Sequence, residues 1–266
     1  MTPDQITEAA EALFTADHIG LQIGLLSLKY PGMTMGDAYA VQRALVDRKL
    51  AAGRKRIGWK IGLTSRAMQD ALKIDTPDSG VLLDDMMFTT GGTVAKGRFI
   101  QPRVEAEIAF VMKAPLGGAN VTRDDVIAAT DYVAPSLEIL DTRILRADPK
   151  TGQARVIVDT ISDNAANAGI VLGSERHQIN AHDLRWVGAI VTRDNTVEET
   201  GLGAGVLNDP VTSVVWLARR MAQYGQTIAA GDIVLSGSFI RPIEATPGSK
   251  IHADFGPFGS VAITFA

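Results

Sequence analysis

The 266-residue sequence contains no cysteine, few aromatic residues (6%) and no long hydrophobic run. The lack of cysteine excludes disulfides, thiolate metal sites and a cysteine nucleophile, and it fits a reducing compartment. No apolar stretch approaches the roughly 20 residues that a membrane-spanning helix needs. The N-terminus MTPDQITEAA also lacks the basic start and apolar stretch of a signal peptide. We therefore expect a cytoplasmic protein with no membrane partner.

Positive charge is not in excess either. The formal net charge is -4, and the sequence has no lysine- or arginine-rich run of the kind used to grip phosphate backbones, so nucleic acid is not an expected partner. The chain has four histidines, none at a metal-ligand spacing, and no G-x-S-x-G string. A hydrophobic content of 46% with 21% charged residues is ordinary for a folded globular protein with a substantial core.

Helical spacing dominates the first part of the chain. Pro3 stands at the first helical position of one segment, and Thr34 with Asp37 forms a capping-box variant at the start of another. The pattern changes near residue 55. The sequence thus predicts an N-terminal helical region over residues 1–55.

Short β-like runs follow, among them ARVIVDT, and the chain closes on a predicted hairpin around GPFG. Two helices interrupt these strands, TRDDVIAATDYV and DPVTSVVWLARRMAQYG. The first is predicted to start at Thr122, with Asp125 closing a capping box. Because strands and helices do not alternate regularly, a doubly wound parallel sheet is disfavoured. We expect an α+β fold in which residues 56–266 form a mostly β core, in one compact unit with the helical region.

Two glutamates, Glu105 and Glu107, lie in the predicted strand RVEAEIAFVM. Residues two apart in a strand point to the same face, so both carboxylates aim at one spot and repel each other. A hard divalent cation would relieve that repulsion, because it takes carboxylate oxygens as ligands. Glu138, in the apolar run SLEIL, supplies a third candidate ligand. The alternative is a solvated face of an edge strand, and spacing alone does not decide between the two.

Other polar positions are candidates that also have ordinary structural explanations. Lys60 in GWKIGLT lies between strand-forming residues, which is consistent with a half-buried side chain. The structural alternative is a lysine on a sheet edge whose side chain extends to reach water. Asp78 follows Pro77 in a segment with common turn chemistry. Ser162 belongs to the polar stretch ISDNAANAG, whose short side chains commonly hold a loop through local hydrogen bonds.

Several strings together resemble the hydratase/decarboxylase branch of the fumarylacetoacetate hydrolase superfamily. They are GRKRIGWKIGLTSRAMQ, TPDSGVLLDDMMF, IQPRVEAEIAFV, PSLEILDTRI, DTISDNAANAGIVLG and LSGSFIRPI. The likeness covers nearly the whole chain, and PR-x-E-x-E followed by L-E-x-x-D is specific to the superfamily. It implies a mixed-β roll with an N-terminal helical region, assembled as a homo-oligomer of dimers.

The resemblance also implies a metal-dependent hydratase of aromatic (homoprotocatechuate) catabolism. The implied reaction adds water to the dicarboxylate 2-oxo-hept-4-ene-1,7-dioate and gives 4-hydroxy-2-oxoheptanedioate. Hydration of 2-hydroxypenta-2,4-dienoate and decarboxylation of 4-oxalocrotonate are the alternatives. Hydrolysis of acylpyruvates and a non-catalytic scaffold are less favoured, the first because of the SDN stretch and the N-terminal helical region.

Site residues are implied position by position. Glu105, Glu107 and Glu138 match the residues that hold Mg²⁺ or Mn²⁺. Lys60 and Asp78 match the lysine and aspartate of acid/base chemistry. For Lys60 to act as an acid near neutral pH, its pKa should fall, and we expect burial beside the metal to lower it.

Two neighbours of these residues depart from the family pattern. Trp59 stands where histidine or arginine is common, and Ser79 where an aromatic residue is usual. Both positions bear on the shape of the substrate pocket.

A distal substrate carboxylate calls for an arginine, whose planar fork binds it through two hydrogen bonds. Arg241 in SGSFIRP is the first choice, with Arg66 and Arg143 after it, and an ordinary surface arginine is the alternative reading. Ser162 and Ser238 are further candidate substrate contacts.

Overall fold

The computed structural model describes residues 1–66, 69–70, 74 and 76–266. The α-helices among them are α1 (Pro3–Ile19), α2 (Leu26–Lys29), α3 (Met35–Ala51), α4 (Arg123–Ala129), α5 (Ile157–Ser162) and α6 (Pro210–Ala222). The strands are β1 (Arg56–Gly62), β2 (Asp78–Leu83), β3 (Met87–Thr89), β4 (Thr93–Val94), β5 (Arg103–Met112), β6 (Thr130–Leu140), β7 (Asn167–Leu172), β8 (Gly188–Arg193), β9 (Thr196–Leu202), β10 (Ile233–Ser238), β11 (Ile243–Glu244), β12 (Lys250–Asp254) and β13 (Ser260–Phe265). None of the described helices has the length and apolarity to cross a membrane.

The N-terminal helices start where the capping signals predict. The Thr34 hydroxyl accepts the Asp37 N–H, and the Asp37 carboxylate accepts the Thr34 N–H, so the first turn of α3 has its free donors satisfied. The helices bury their own small cluster, which includes Leu13 and Leu45. From α3, Gln42 Nε2 donates to the Ser79 carbonyl on β2, at 2.8 Å, and so ties the helical region to the roll.

Two mixed sheets form the rest of the protein. The larger has the strand order β2-β1-β10-β5-β6-β7-β3, with β11 also pairing with β5, and the smaller has the order β4-β13-β12-β8-β9. Side chains from both sheets share one large core, for example Phe110 and Leu137 from the first and Val261 and Ile263 from the second. Both sheets contain parallel and antiparallel pairs, and the predicted α+β fold is confirmed.

Two local predictions were wrong. ARVIVDT was predicted as a strand, but helix α5 starts at Ile157, because the Asp159 carboxylate accepts the Val156 N–H at the helix start. TRDDVIAATDYV was predicted as one helix. It starts at the expected Thr122 cap but ends at Ala129, and the following TDYV opens β6, where β-branched and aromatic residues favour a strand.

Candidate active site at a buried carboxylate cluster

The three glutamates converge because of the pairing of β5 with β6. Glu105 and Glu138 are direct register partners across these two strands, and Glu107 lies on the same face of β5 as Glu105. One carboxylate oxygen from each of the three lies within 4.8 Å of the others. β5 has β10 on one side and β6 on the other, so the edge-strand alternative is wrong. We call this group the carboxylate cluster.

Two N–H donors orient the carboxylate cluster. The Gly237 N–H donates to Glu107 Oε2, and Asn167 Nδ2 donates to Glu138 Oε1, both at 2.8 Å. Gly237 has a φ of 114°, and a Cβ there would lie 2.3 Å from Thr64 Oγ1. Only glycine therefore allows this backbone to present its N–H to Glu107.

The remaining oxygens of the cluster lack donors. Glu107 and Glu138 are fully buried, and Glu107 Oε1 and Glu138 Oε2 have no hydrogen-bond partner among the described residues. A buried carboxylate oxygen without a donor is costly. Three carboxylates with free, convergent oxygens are the donor set that hard divalent cations prefer. The residues present therefore fit a site for Mg²⁺ or Mn²⁺.

Burial and mutual repulsion raise the pKa values of Glu105 and Glu107 in the cluster. Burial raises the pKa of Glu105 to about 8, and the neighbouring Glu138 carboxylate adds to the rise. Burial raises the pKa of Glu107 well above its ordinary value, and Glu138 and Glu105 raise it further. A bound cation would favour the ionised forms and oppose these shifts.

Lys60 and Asp78 reach the cluster from the antiparallel pair β1 and β2. Both side chains are buried, and Lys60 Nζ lies 3.3 Å from Glu138 Oε1. Asp78 Oδ1 has no hydrogen-bond partner within the described part of the chain. A Cβ at Gly62 would lie 2.3 Å from Asp78 Oδ1 and 3.0 Å from Lys60 Nζ. The missing side chain at position 62 thus lets the lysine and the aspartate approach the same point.

The predicted fall in the pKa of Lys60 applies to a protein with a cation bound, and without the cation the pKa is raised instead. Burial does lower the pKa of Lys60, but the charges of Glu138, Asp78, Glu105 and Glu107 together raise it above its ordinary value. Burial raises the pKa of Asp78, and the charge of Lys60 opposes that rise. Lys60 is therefore an ammonium ion held among acids, and Asp78 is a carboxyl group whose ionised form is poorly stabilised.

The side chains of Arg143 and Ser162 form hydrogen bonds to other groups of the protein. Arg143 is buried, its Nε donates to Asp163 Oδ1 at 2.6 Å, and its Nη2 donates to the carbonyls of Asp163 and Asn167. The Ser162 hydroxyl donates to the Val158 carbonyl inside α5. These bonds argue against the predicted substrate contacts. Arg143 instead holds the segment that carries Asn167, the residue that orients Glu138.

Of the other predicted substrate residues, Ser238 lies beside the cluster as the register partner of Glu107 on β10, whereas Arg241 and Arg66 are exposed. Arg241 is 78% exposed and its Nε donates to Glu199 Oε1 at 2.8 Å. The Ser238 hydroxyl bonds to the backbone of its own turn. Arg66 is 86% exposed and pairs with Asp70. Among the described residues, none of these side chains hydrogen-bonds to the three glutamates. The exposed guanidinium of Arg241, already paired with Glu199, is a weak candidate for the distal carboxylate, and a substrate role for Ser238 stays a prediction. A role for Arg66 stays a prediction.

Sequence reasoning missed Asn167 and Gly237 as residues that orient the cluster. Asn167 was read only as a loop-forming residue. The available signal for Gly237 was a glycine inside a strand, which commonly marks a bulge, and the register of β10 against β5 does shift between Leu235 and Ser238.

Comparisons with known proteins place the chain in a family. It is 49% identical to 2-oxo-hept-4-ene-1,7-dioate hydratase from Escherichia coli over 259 residues, which are 97% of each chain. The chain belongs to the hydratase/decarboxylase branch of the fumarylacetoacetate hydrolase superfamily. This confirms the resemblance found in the sequence. No family model matches the chain.

Two further members of this branch are similar along their whole length. The chain is 39% identical over 265 residues to 2-keto-4-pentenoate hydratase from Paraburkholderia xenovorans (strain LB400), covering 100% of this chain and 96% of that one. The solved structure of 4-oxalocrotonate decarboxylase from Pseudomonas putida G7, complexed with magnesium and adipate, superposes with a TM-score of 0.94 at 34% identity. That match covers 100% of this chain and 99% of the decarboxylase.

Proposed function

We propose that this protein is a divalent-metal-dependent hydratase that adds water to 2-oxo-hept-4-ene-1,7-dioate in aromatic catabolism. The product is 4-hydroxy-2-oxoheptanedioate. The observation that carries the proposal is a complete carboxylate cluster with Lys60 and Asp78 beside it, buried at the centre of the larger sheet. The similarity to the seven-carbon diacid hydratase, over nearly all of both chains, supports this choice of substrate.

Glu105, Glu107 and Glu138 would hold Mg²⁺ or Mn²⁺. A cation in that place would supply a Lewis acid for the 2-oxo group of the substrate. Asn167 donates to one oxygen of Glu138, and Gly237 donates to one oxygen of Glu107. The second oxygen of each carboxylate has no described donor and would be available to the cation.

Lys60 and Asp78 divide the proton transfers. Asp78 Oδ1 is buried, has no donor among the described residues, and is the acceptor for a proton of the attacking water. Because burial raises its pKa, its basicity is closer to that needed near neutral pH. Lys60 Nζ, held as an ammonium ion by the surrounding acids, is the donor of a proton to the carbon chain.

Decarboxylation of 4-oxalocrotonate is a second candidate, because a solved decarboxylase superposes over the whole chain. One assay separates the two. The dienol diacid is supplied with Mg²⁺, the loss of its ultraviolet absorbance is followed, and the product is identified. We expect a hydroxy-keto acid. Release of carbon dioxide would favour the decarboxylase, two fragments would indicate hydrolysis, and no change would refute the proposed hydratase. 4-Oxalocrotonate supplied in parallel tests the decarboxylase on its own substrate.

Replacing Lys60 with methionine tests the acid/base assignment. A positioned proton donor contributes roughly 100- to 10,000-fold to the rate, so turnover of K60M should fall by that factor while the protein stays folded. Lys96, which is exposed, gives the matched control K96M, with no expected change. Undiminished turnover of K60M would refute the role of Lys60.

We also propose that the chain assembles as a homo-oligomer built from dimers. Exposed apolar side chains support this, because Trp186, Ile190 and Leu202 are 73%, 50% and 43% exposed and line one surface groove. Light scattering in solution would give the mass, and a monomer would contradict the proposal. The cytoplasmic location expected from the sequence stays a prediction.

A further inference from the structure

A group of arginines lies at the start of β5, beside the carboxylate cluster. Arg103 Nη2 and Arg146 Nη1 lie 2.8 and 3.4 Å from the same oxygen, Glu244 Oε1. The Arg155 N–H donates to the Arg146 carbonyl at 2.8 Å. Burial lowers the pKa of Arg155, the charges of Asp163 and Asp159 oppose this effect, and the nearby charges of Arg143 and Arg103 add to it. Burial lowers the pKa of Arg146, and the charges of Arg103 and Arg155 lower it further. We call Arg103, Arg146 and Arg155 the arginine group.

Two N–H donors of the arginine group have no hydrogen-bond acceptor in the described part of the protein. Arg155 Nη1 and Arg103 Nε are both buried and have no hydrogen-bond partner among the residues that the structure describes. Glu244 serves Arg103 and Arg146, whereas no described carboxylate pairs with Arg155 at that distance. A buried guanidinium N–H without an acceptor is costly. An anion with two oxygens from outside the chain would satisfy both donors.

Arg103 connects the arginine group to the proposed reaction centre. Arg103, Glu105 and Glu107 alternate on one face of β5, so the Cα atoms of Arg103 and Glu105 are roughly 7 Å apart. Glu105 is the least buried of the three glutamates, so the cluster is most open at this end. Arg155 is also near the catalytic pair, since its positive charge lowers the pKa of Asp78 against the larger effect of burial. An extended seven-carbon diacid covers a comparable distance.

We propose that Arg155, with Arg103 beside it, binds the distal carboxylate of the dicarboxylate substrate and sets the preference for the diacid over the five-carbon monoacid. This inference rests on the proposed function. Arg155 takes the place that the sequence suggested for Arg241, whose guanidinium is exposed and engaged by Glu199. Because the single carboxylate of Glu244 pairs with both Arg103 and Arg146, the arginine group keeps positive charge beyond that of its one salt-bridge partner.

The test compares R155M and R155K with the matched surface variant R241M. The kcat and KM of each are measured for the seven-carbon dienol diacid and for 2-hydroxypenta-2,4-dienoate. For R155M we expect the KM for the diacid to rise roughly 10- to 100-fold, the usual effect of losing a charge-assisted hydrogen bond. The KM for the monoacid should not change. R155K should lie between R155M and the wild type, because lysine keeps the charge without the fork, and R241M should match the wild type.

Thermal midpoints and adipate binding complete the test. Because Arg155 Nη1 has no described partner in the protein, R155M should melt no lower than the wild type. Equal losses on both substrates, no loss on either, or a lowered midpoint would overturn the inference. Calorimetric titration with the diacid adipate and the monoacid hexanoate tests the anion site without any turnover. It therefore separates failure of this inference from failure of the proposed function. If the wild type binds adipate more tightly than hexanoate and R155M does not, the result supports the anion site whether or not the protein hydrates a dienol. No preference in the wild type refutes it.

Discussion

Replacing Glu107 with glutamine is expected to stabilise the metal-free protein while removing its response to Mg²⁺. Glu107 is fully buried, and one of its oxygens lies within 4.8 Å of oxygens of Glu105 and Glu138. Two unit charges at that separation repel each other by roughly 3 kcal/mol at an effective dielectric constant of about 20. Glutamine keeps an acceptor for the Gly237 N–H and removes the charge. We expect the free energy of unfolding to rise by about 2–3 kcal/mol at pH 8.

The gain should depend on pH in a defined direction. Burial raises the folded-state pKa of Glu107 well above its ordinary value of 4.5. The folded wild type therefore holds a proton that the unfolded chain releases, and the wild type loses stability as pH rises above about 4.5. The advantage of E107Q should be small at pH 5 and large at pH 8.

Thermal unfolding of both proteins, stripped of metal with a chelator, measures this difference. For a chain of this size, 2–3 kcal/mol corresponds to a rise in the melting midpoint of about 4–12 °C. The exposed Glu11, which pairs with Arg48 on the surface, gives the control E11Q, expected to change stability by no more than about 1 kcal/mol. Added Mg²⁺ should stabilise wild type but not E107Q. An E107Q protein that is no more stable at pH 8 and responds to Mg²⁺ like wild type would refute the reasoning.

Three further outcomes follow from the contacts around the cluster. Asn167→Leu removes the donor to Glu138 and should weaken Mg²⁺ affinity by about 10- to 100-fold with the fold retained. Calorimetry would measure the affinity, and an unchanged value would contradict the prediction. Arg143→Met leaves the Asp163 carboxylate buried and unpaired and should cost about 3–5 kcal/mol in urea unfolding, whereas a loss below 1 kcal/mol would argue against the pair. Metal-free wild type should lose stability between about pH 4.5 and 8, because burial raises the pKa of Glu105 to about 8. Saturating Mg²⁺ should flatten this profile, and equal slopes with and without the cation would count against the site.

Local signals in the sequence were enough for several features. The Thr34 and Thr122 capping boxes predicted two helix starts, because a cap depends on residues only three apart. The alternation of Glu105 and Glu107 predicted that the two carboxylates share a face, since that follows from strand geometry alone. The strings of the family then indicated which lysine and which aspartate belong beside them.

Features that depend on distant pairing could not be predicted in this way. Glu138 meets Glu105 only through the register of β6 against β5, and Asn167 reaches Glu138 through a bond between residues 29 positions apart. The arginines show the same limit. Arg143 and Arg241 have the side chain that a carboxylate needs, but the structure gives each an internal acid partner. The unsatisfied donor of Arg155 becomes visible only when all of its neighbours are in place.

Mn²⁺ binding, followed by electron paramagnetic resonance on protein stripped of metal, tests the cation site most directly. Wild type should bind one Mn²⁺ per chain, and hydration of the dienol diacid should return in proportion to the bound ion. Glu138→Gln should lose both binding and turnover. Full turnover without a divalent cation, or unchanged Mn²⁺ binding by E138Q, would contradict the assignment of the three glutamates.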